Sequence, residues 1–312
     1  MEFGIHNSSW LFGTDPAEIF ESVKKKAQWA ENNGFTWFSV MDHVIQIPIV
    51  GAPDEPFMES WTVLSALAAV TSKIRLATLV TSVAYRNPAH MAKMAATVDL
   101  ISKGRLTFGF GAGWFAEEYR QYGWEFPEKP AARIRQMEEA VRLILAMWKE
   151  PRTTFHGRYF HAENAILEPK PLQKPRPPLM IAGGGEQMTL RTVARLADAC
   201  NVAGPPDAVR HKYAVLKQHC ENEGRNYDEI ERTNIISFLL ARSEQELETK
   251  KRVLNIGALP VFAGTVSQAT DLIGAYRDAG VRLLISSAAR NDQETHALLA
   301  SDIMPHFKGT PS

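Results

Sequence analysis

The feature that most constrains the fold of this chain is a repeated alternation of short apolar runs with longer amphipathic segments. The run FTWFSVM at 35–41 is apolar at nearly every position, as expected of a strand buried on both faces of a parallel sheet. The segment 130–149 instead carries apolar residues at spacings of three and four, which predicts a helix with one buried face. Strands that alternate with helices in this way indicate βαβ units and a parallel sheet.

The alternation predicts eight strands, most of them followed by a helix. The predicted strands are 2–7, 35–41, 74–82, 106–111, 179–183, 199–203, 233–241 and 282–287. The predicted helices after the first are 59–72, 88–103, 130–149, 187–197, 205–223, 243–255, 266–279 and 292–306. Eight such units in a chain of 312 residues favour a closed (β/α)8 TIM barrel of the α/β class over an open sheet.

One segment interrupts the alternation. The stretch at about 150–178 contains strand-forming residues followed by several prolines, and the βα pattern resumes directly after it. We therefore predict a single TIM-barrel domain, 1–312, with a rim insertion at about 150–178 between strands four and five.

The charge balance and the cysteine content exclude several classes of protein. Lysine plus arginine equals aspartate plus glutamate at 35 each, so the basic excess of a nucleic-acid-binding protein is absent. No apolar segment reaches the roughly 20 residues of a membrane span, and the N-terminal segment lacks the pattern of a signal peptide. Two cysteines are too few for a disulfide framework. We expect a cytoplasmic protein with a small-molecule substrate and without nucleic-acid or membrane partners.

The segment LTFGFGAGWFAEEY at 106–119 places glycine at 109, 111 and 113. Active sites of TIM barrels lie at the C-terminal ends of the strands, and this segment contains such an end. Glycine at every second position leaves one face of the strand without side chains, which makes room for a flat ligand. The alternative is a tight corner of the barrel. The spacing differs from the G-x-G-x-x-G of dinucleotide loops.

A second glycine-rich segment, AGGGE at 182–186, joins a predicted strand to a predicted helix. Backbone N–H groups at the start of a helix bind phosphate, and glycine allows the phosphate to come close. The segment therefore predicts an anion site, and the alternative is an ordinary glycine-rich loop.

Asp42 and His43 directly follow the second predicted strand. An imidazole transfers protons near neutral pH, and a neighbouring carboxylate can set its orientation. The alternative for Asp42 is a local cap that accepts hydrogen bonds from loop N–H groups.

Hydrolytic chemistry is disfavoured. The nine histidines are scattered, no H-E-x-x-H motif occurs, and we predict no metal site. A glycosidase needs a second carboxylate at a neighbouring strand end, and the sequence offers no convincing partner for Glu117 or Glu118. We expect these two glutamates to be surface groups favoured by the start of a helix.

Several segments together resemble one known family. In order along the chain they are GFTWFSVMDHV, LVTSVAYRNPAHMAKMAATVDLISKGRLTFGFGAGWFAEEYRQYG, RIRQMEEAVRLILAMW, PPLMIAGGGEQMTLRTVARLADACNV and GTVSQATDLIGAYRDAGVRLLI. On these residues the chain resembles the bacterial luciferase-like monooxygenase superfamily, and most closely its coenzyme F420-dependent oxidoreductase branch. The resemblance covers the full length and implies a TIM barrel with insertions.

The resemblance also implies where a cofactor would lie. It implies a non-prolyl cis peptide between Ser82 and Val83 that backs a deazaflavin or flavin ring, with Asp42 and His43 at the reactive edge of that ring. The implied cofactor-binding residues are Thr81, Ser82, Val83, Gly111, Ala112, Gly113, Ala182, Gly183, Gly184 and Gly185.

Trp114 marks a departure from some members of the family. Sugar-phosphate dehydrogenases that resemble this chain carry glutamate at its position and tryptophan at the position of Val44, so the resemblance does not extend to their activity. Trp114 instead suggests an apolar or aromatic substrate pocket, which we expect to include Trp10, Phe57 and Trp61.

The function that the resemblance implies is hydride transfer between F420 and a small organic substrate, with His43 as proton donor or acceptor. The alternative is an FMN-dependent monooxygenase that uses reduced flavin and O2, and a third hypothesis is a non-catalytic carrier of a flavin-type ligand. The resemblance also implies a homodimer. The alanines and methionines of helix 88–103 suit a close contact between subunits or packing in the core.

Overall fold

The strands of this protein close into a barrel. We describe residues 1–13, 15–257, 259–307 and 309 in a computed structural model. The strands are β1 (Glu2–Asn7), β2 (Trp37–Val40), β3 (Arg75–Thr78), β4 (Thr81–Ser82), β5 (Leu106–Gly111), β6 (Thr153–His156), β7 (His161–Ala165), β8 (Leu179–Ala182), β9 (Ala199–Val202), β10 (Glu231–Ala241), β11 (Phe262–Thr265) and β12 (Leu283–Ala288).

The barrel contains eight of these strands, in the order β1, β2, β3, β5, β8, β9, β10 and β12. Each neighbouring pair is parallel, and β12 pairs back with β1, so that Gly4 lies beside both Trp37 and Ile285. The predicted α/β class and the closed (β/α)8 barrel are therefore confirmed.

Helices surround the barrel on its outer face. They are α1 (Ile19–Asn32), α2 (Ser60–Val70), α3 (Pro88–Ile101), α4 (Ala116–Gln121), α5 (Pro130–Lys149), α6 (Thr189–Leu196), α7 (Pro206–Glu223), α8 (Glu244–Val253), α9 (Val266–Asp278) and α10 (Gln293–Leu298). Local sequence sets several starts. The Asn87 side chain accepts hydrogen bonds from the N–H groups of Ala89 and His90, and Pro88 occupies the first turn of α3. No helix within the described residues is long and apolar enough to cross a membrane.

Two layers of apolar side chains stabilise the barrel. One fills its interior, where Trp37, Met180, Leu283 and Ile285 pack together. The other lies between the strands and the surrounding helices, as expected for strands that are apolar on both faces. The small residues of α3 belong to this outer layer, because Met91, Ala92, Ala95 and Ala96 are all buried within the chain itself. Their composition is thus explained by packing in the core.

In the segment predicted as an insertion, β6 and β7 form an antiparallel hairpin, in agreement with its strand-forming residues. The structure differs from the predicted elements at two places. The predicted strand 74–82 is divided into β3 and β4, and the non-prolyl cis peptide lies between Leu79 and Val80. The expected position of that bond, Ser82–Val83, is therefore wrong. Strand β11 was missed between two predicted helices, because it has only four residues and two of them are alanine and glycine.

The buried side chain of His296, which lies outside the barrel mouth, contributes to the pH dependence of stability. Burial lowers the pKa of His296 from 6.5 to about 3. Between these two pH values the unfolded chain binds a proton that the folded chain does not, so the free energy of unfolding falls as the pH falls. Between pH 6.5 and pH 4.5 we expect the free energy of unfolding to fall more steeply in the wild type than in His296→Phe. The difference between the two slopes should be up to about 1.4 kcal/mol per pH unit. Urea unfolding at both pH values is the measurement, and parallel losses in the two proteins would contradict it.

Candidate functional site

A cavity of about 500 Å³ opens at the C-terminal ends of the barrel strands. Its wall includes nine residues that the sequence singled out: Asp42, His43, Ser82, Gly111, Ala112, Gly113, Trp114, Ala182 and Gly183. The tertiary structure thus brings together side chains and glycines from four separate segments of the chain. Its wall also includes residues that the sequence-based list lacked: His6, Leu79, Val80, Tyr85, Arg133, Thr189 and Asn201.

His43 and Glu118 form a buried pair at one side of this cavity. Glu118 has no exposed surface, and its Oε1 and Oε2 lie 2.7 and 2.9 Å from Nδ1 of His43. A carboxylate only accepts hydrogen bonds, so Nδ1 carries the proton in this contact. The other ring nitrogen, Nε2, is then available to a ligand in the cavity, as a base when His43 is neutral and as an acid when it is protonated.

Glu118 is held by two further donors. The hydroxyl of Tyr85 donates to its Oε1, and the backbone N–H of Val44 donates to its Oε2 at 3.3 Å. Burial, together with the charge of Glu118, raises the pKa of Tyr85 above its usual value. Tyr85 therefore remains a protonated donor, and the carboxylate keeps a fixed orientation towards His43.

Asp42 has a different role from the one the sequence suggested. Arg86 binds it in bidentate fashion, with Nη1–Oδ2 and Nη2–Oδ1 distances of 2.8 and 3.0 Å, and the hydroxyl of Thr81 donates to it at 2.7 Å. Arg86 also pairs with Glu59, whose carboxylate accepts hydrogen bonds at the start of α2. Asp42 thus fixes the loop after β2, and the expectation that it orients His43 is wrong.

For Glu118 the sequence carries a weak signal. Two adjacent residues point about 100° apart on a helix, so at most one of Glu117 and Glu118 can face the barrel. Glu117 is partly exposed and pairs with Arg120 at 2.5 Å, as expected of a surface group. The expectation of a surface group is wrong for Glu118, because the partner that stabilises it in the interior, His43, is 75 positions away in the sequence.

The floor of the cavity lies slightly earlier in the chain than expected. Leu79 and Val80 line it, together with Ser82, whose hydroxyl bonds to that of Tyr119. Thr81 is fully buried beneath the cavity, and Val83 is part of the outer core. Of the three residues predicted here, Ser82 alone contributes to the described cavity wall.

The alternating glycines have more than one physical reason. A methyl group built on Gly109 would overlap the carbonyl group of Thr78, with only 3.1 Å to its carbon atom. Gly109 is therefore required by the close approach of β3, and the flat-ligand explanation is wrong for it. Gly111 faces the cavity beside Val80, and Gly113 has a φ of +76° that favours glycine.

The loop that follows β8 starts at the cavity wall and provides free backbone donors. Of the predicted residues Gly183, Gly184 and Gly185, Gly183 lines the described cavity and the other two do not. Gly183 lines the cavity and donates its N–H to the carbonyl of Asn201 at 3.0 Å. Within the described residues, the N–H groups of Gly184, Gly185 and Glu186 have no acceptor. They precede α6, whose first residue, Thr189, also lines the cavity.

Such free donors suit a phosphate. The cavity therefore offers a wall of Leu79, Val80 and the stretch Gly111–Gly113 on which a flat ring can lie, and anion donors in the loop after β8. These features fit a flavin or a deazaflavin, each of which joins a flat ring to a phosphate.

Trp114 is the member of the expected substrate pocket that faces the cavity. Its side chain is 57% exposed, and its ring meets that of His43 edge to face at 5.8 Å. Trp10 and Trp61 are buried, and Phe57 packs on Trp10 at 5.6 Å. The indole N–H of Trp61 donates to Thr81. None of these three lines the cavity within the described part of the chain, so the expectation is wrong for them.

Comparison with known proteins gives one consistent family. A family model described as luciferase-like monooxygenase matches residues 1–304. A pyrimidine monooxygenase, RutA, of Acinetobacter baylyi is 31% identical over 81% of this chain and 69% of its own length. An FMNH2-dependent dimethylsulfone monooxygenase of Pseudomonas putida is 31% identical over 56% of this chain, which spans 46% of that protein. A coenzyme F420-dependent tetrahydromethanopterin reductase of Methanopyrus kandleri shares the fold, with a TM-score of 0.79, 21% identity and coverage of 98% and 99% of the two chains.

Proposed function

Because the chain belongs to the luciferase-like monooxygenase family, we propose that it is an F420-dependent oxidoreductase acting on a small organic substrate. The observation that carries this proposal is the buried pair of His43 and Glu118 on the wall of a ring-sized cavity. Hydride transfer to a carbonyl group, or from an alcohol, must be accompanied by the transfer of a proton at the oxygen. A histidine oriented by a carboxylate supplies that proton transfer.

When bound, F420 would supply the acceptor or donor of the hydride at C5 of its deazaflavin ring. The chain would hold the ring on Leu79 and Val80, against Gly111–Gly113. The N–H groups of 184–186 and the hydroxyl of Thr189 would bind the phosphate.

The chain's own part in the reaction is to move one proton. In the oxidation of an alcohol, His43 Nε2 would accept the hydroxyl proton, and the hydride that leaves the carbon would go to the acceptor that the bound cofactor supplies. Glu118 stabilises the imidazolium that forms, because its carboxylate accepts the Nδ1–H bond at 2.7 Å. In the reverse direction the same nitrogen donates the proton to the carbonyl oxygen. Trp114 covers His43 and limits the access of water.

A flavin-dependent monooxygenase is the second candidate. It is supported by the 31% identity to the RutA protein over 81% of this chain and by the FMNH2-dependent relative. Such an enzyme would use the same cavity for reduced FMN, and His43 would act as a proton donor or acceptor to an oxygen-derived group.

Titration of the purified protein with F420 and with FMN distinguishes the two candidates. We expect F420 to bind at least tenfold more tightly than FMN, as measured by quenching of the cofactor's fluorescence. Tighter binding of FMN or reduced FMN, with oxygen consumption in the presence of substrate, would favour the monooxygenase. Binding of neither cofactor would contradict both.

A further inference from the structure

A second cavity adjoins the first and has no role in the cofactor site described above. Its volume is about 540 Å³. The two cavities share part of their walls, including His6, Met41, Trp114 and Ile235. We propose that this second cavity is the substrate site, and that it takes an uncharged, mainly aliphatic molecule with a single polar oxygen. The inference rests on the proposed function, because the second cavity adjoins the proposed cofactor cavity, whose wall includes His43.

The wall of the second cavity is mostly apolar. Its apolar side chains include Leu11 after β1, Ile49 and Val50 after β2, Ile236 in β10, and Val261 between α8 and β11. Burial of aliphatic groups against such a surface contributes about 0.8 kcal/mol per methylene. The main attraction that this wall can offer is therefore to a hydrocarbon.

The two charged residues at this cavity are already engaged with the chain. Glu55 Oε1 accepts the N–H of Ala52 at 3.1 Å. Arg290 Nη1 donates to the carbonyl of Val50 at 3.2 Å. Both side chains thus hold the rim loops, and Arg290 is exposed to solvent. An ionised substrate group enclosed by the apolar part of the wall would lose its hydration, and a solvent-exposed guanidinium offsets that cost only in part.

The remaining polar groups of the wall are neutral. His6 is buried at the boundary of the two cavities, and its Nδ1 lies 3.0 Å from the hydroxyl of Ser39. Burial lowers the pKa of His6 to about 3, so its ring is uncharged at neutral pH. Ser8, Ser237 and Ser287 line the cavity. Within the described residues, their hydroxyls make no hydrogen bond to the protein. Such groups can hydrogen-bond one carbonyl or hydroxyl oxygen.

The same wall is a poor match for a pyrimidine. A pyrimidine ring carries polar groups on most of its edges, and each one left without a partner costs about 1–3 kcal/mol on burial. Within the described residues, the cavity wall contains no asparagine or glutamine side chain. Sequence similarity to a pyrimidine monooxygenase therefore does not extend to the chemistry of this cavity. The volume of the second cavity, about 540 Å³, also limits the size of the ligand. If each water-sized group takes about 30 Å³, the cavity accommodates on the order of 15 to 20 non-hydrogen atoms.

Binding measurements with matched ligands test the substrate class. The probes are 2-octanone, octanoate and uracil, titrated by calorimetry into the protein saturated with the cofactor it binds, and again into the protein alone. We expect 2-octanone to bind at least tenfold more tightly than octanoate or uracil. Equal or tighter binding of octanoate or uracil, or no binding of 2-octanone in either form, would overturn the inference.

A matched pair of variants tests the location. Ile49 lines the cavity and is 52% exposed, whereas Ile166 lies outside it and is 56% exposed. We expect Ile49→Glu to weaken 2-octanone binding at least fivefold and Ile166→Glu to leave it unchanged. Equal effects of the two substitutions would overturn the location.

These readouts are independent of turnover. Cofactor binding that persists while 2-octanone fails to bind contradicts this inference and leaves the proposed function intact. Failure to bind either cofactor contradicts the proposed function, whereas 2-octanone binding to the protein alone would still support the apolar site.

Discussion

Replacement of His43 by alanine is expected to lower the turnover number by about a hundredfold to ten-thousandfold, the range typical of a general acid or base. The reason is geometric: Nδ1 is bound to Glu118 at 2.7 Å, which leaves Nε2 as the proton-transferring atom on the cavity wall. The affinity for the cofactor should change by less than about fivefold, because the floor and the phosphate loop come from other segments. Steady-state kinetics and a fluorescence titration of the cofactor measure the two effects separately.

Glu118→Gln is the matched variant for this prediction. Glutamine keeps the shape of the side chain and can accept the Nδ1–H bond, but it carries no charge to stabilise an imidazolium. We expect turnover to fall by tenfold or more with a shifted pH profile, and the double variant with His43→Ala to be no slower than His43→Ala alone. Unchanged turnover in His43→Ala, or additive losses in the double variant, would exclude a joint role of the two residues.

Gly109→Ala is expected to have the largest effect on stability among single substitutions at the barrel mouth. The added methyl group would overlap the backbone carbonyl of Thr78 and lie 3.0 Å from Cγ1 of Val80. Neither can move freely, because Thr78 is in a buried barrel strand. We expect the free energy of unfolding to fall by about 3 kcal/mol or more, or the protein to be insoluble, as measured by urea unfolding and by soluble yield.

Gly274→Ala is the control for this substitution. Gly274 lies within α9, and a methyl group built there meets no atom within 4 Å. Alanine is favoured over glycine in a helix by about 0.5–1 kcal/mol, so this variant should be as stable as the wild type or slightly more stable. If Gly109→Ala were equally stable, the strand contact would not be the reason for glycine at 109.

The two predictions show how differently the parts of the site depend on sequence. The barrel could be predicted because each strand and helix is encoded by a local pattern of apolar residues, and the closed order follows once eight βα units are recognised. The glycine-rich loop at 182–186 could be placed between a strand and a helix in the same way, since it follows β8 and comes shortly before α6. The pairing of His43 with Glu118 could not be predicted, because 75 positions separate the two residues.

The sequence by itself determined the class of fold, the end of the barrel that carries the site, and His43 as a candidate for proton transfer. The tertiary structure decided which carboxylate binds that histidine, why Gly109 must be glycine, and which aromatic side chains face the cavity. Trp10 and Trp61 are as aromatic as Trp114 in the sequence, but the first two are buried in the packed core and the third is 57% exposed at the cavity mouth. Periodicity and local motifs depend on neighbours in sequence, whereas burial and side-chain pairing depend on neighbours in space.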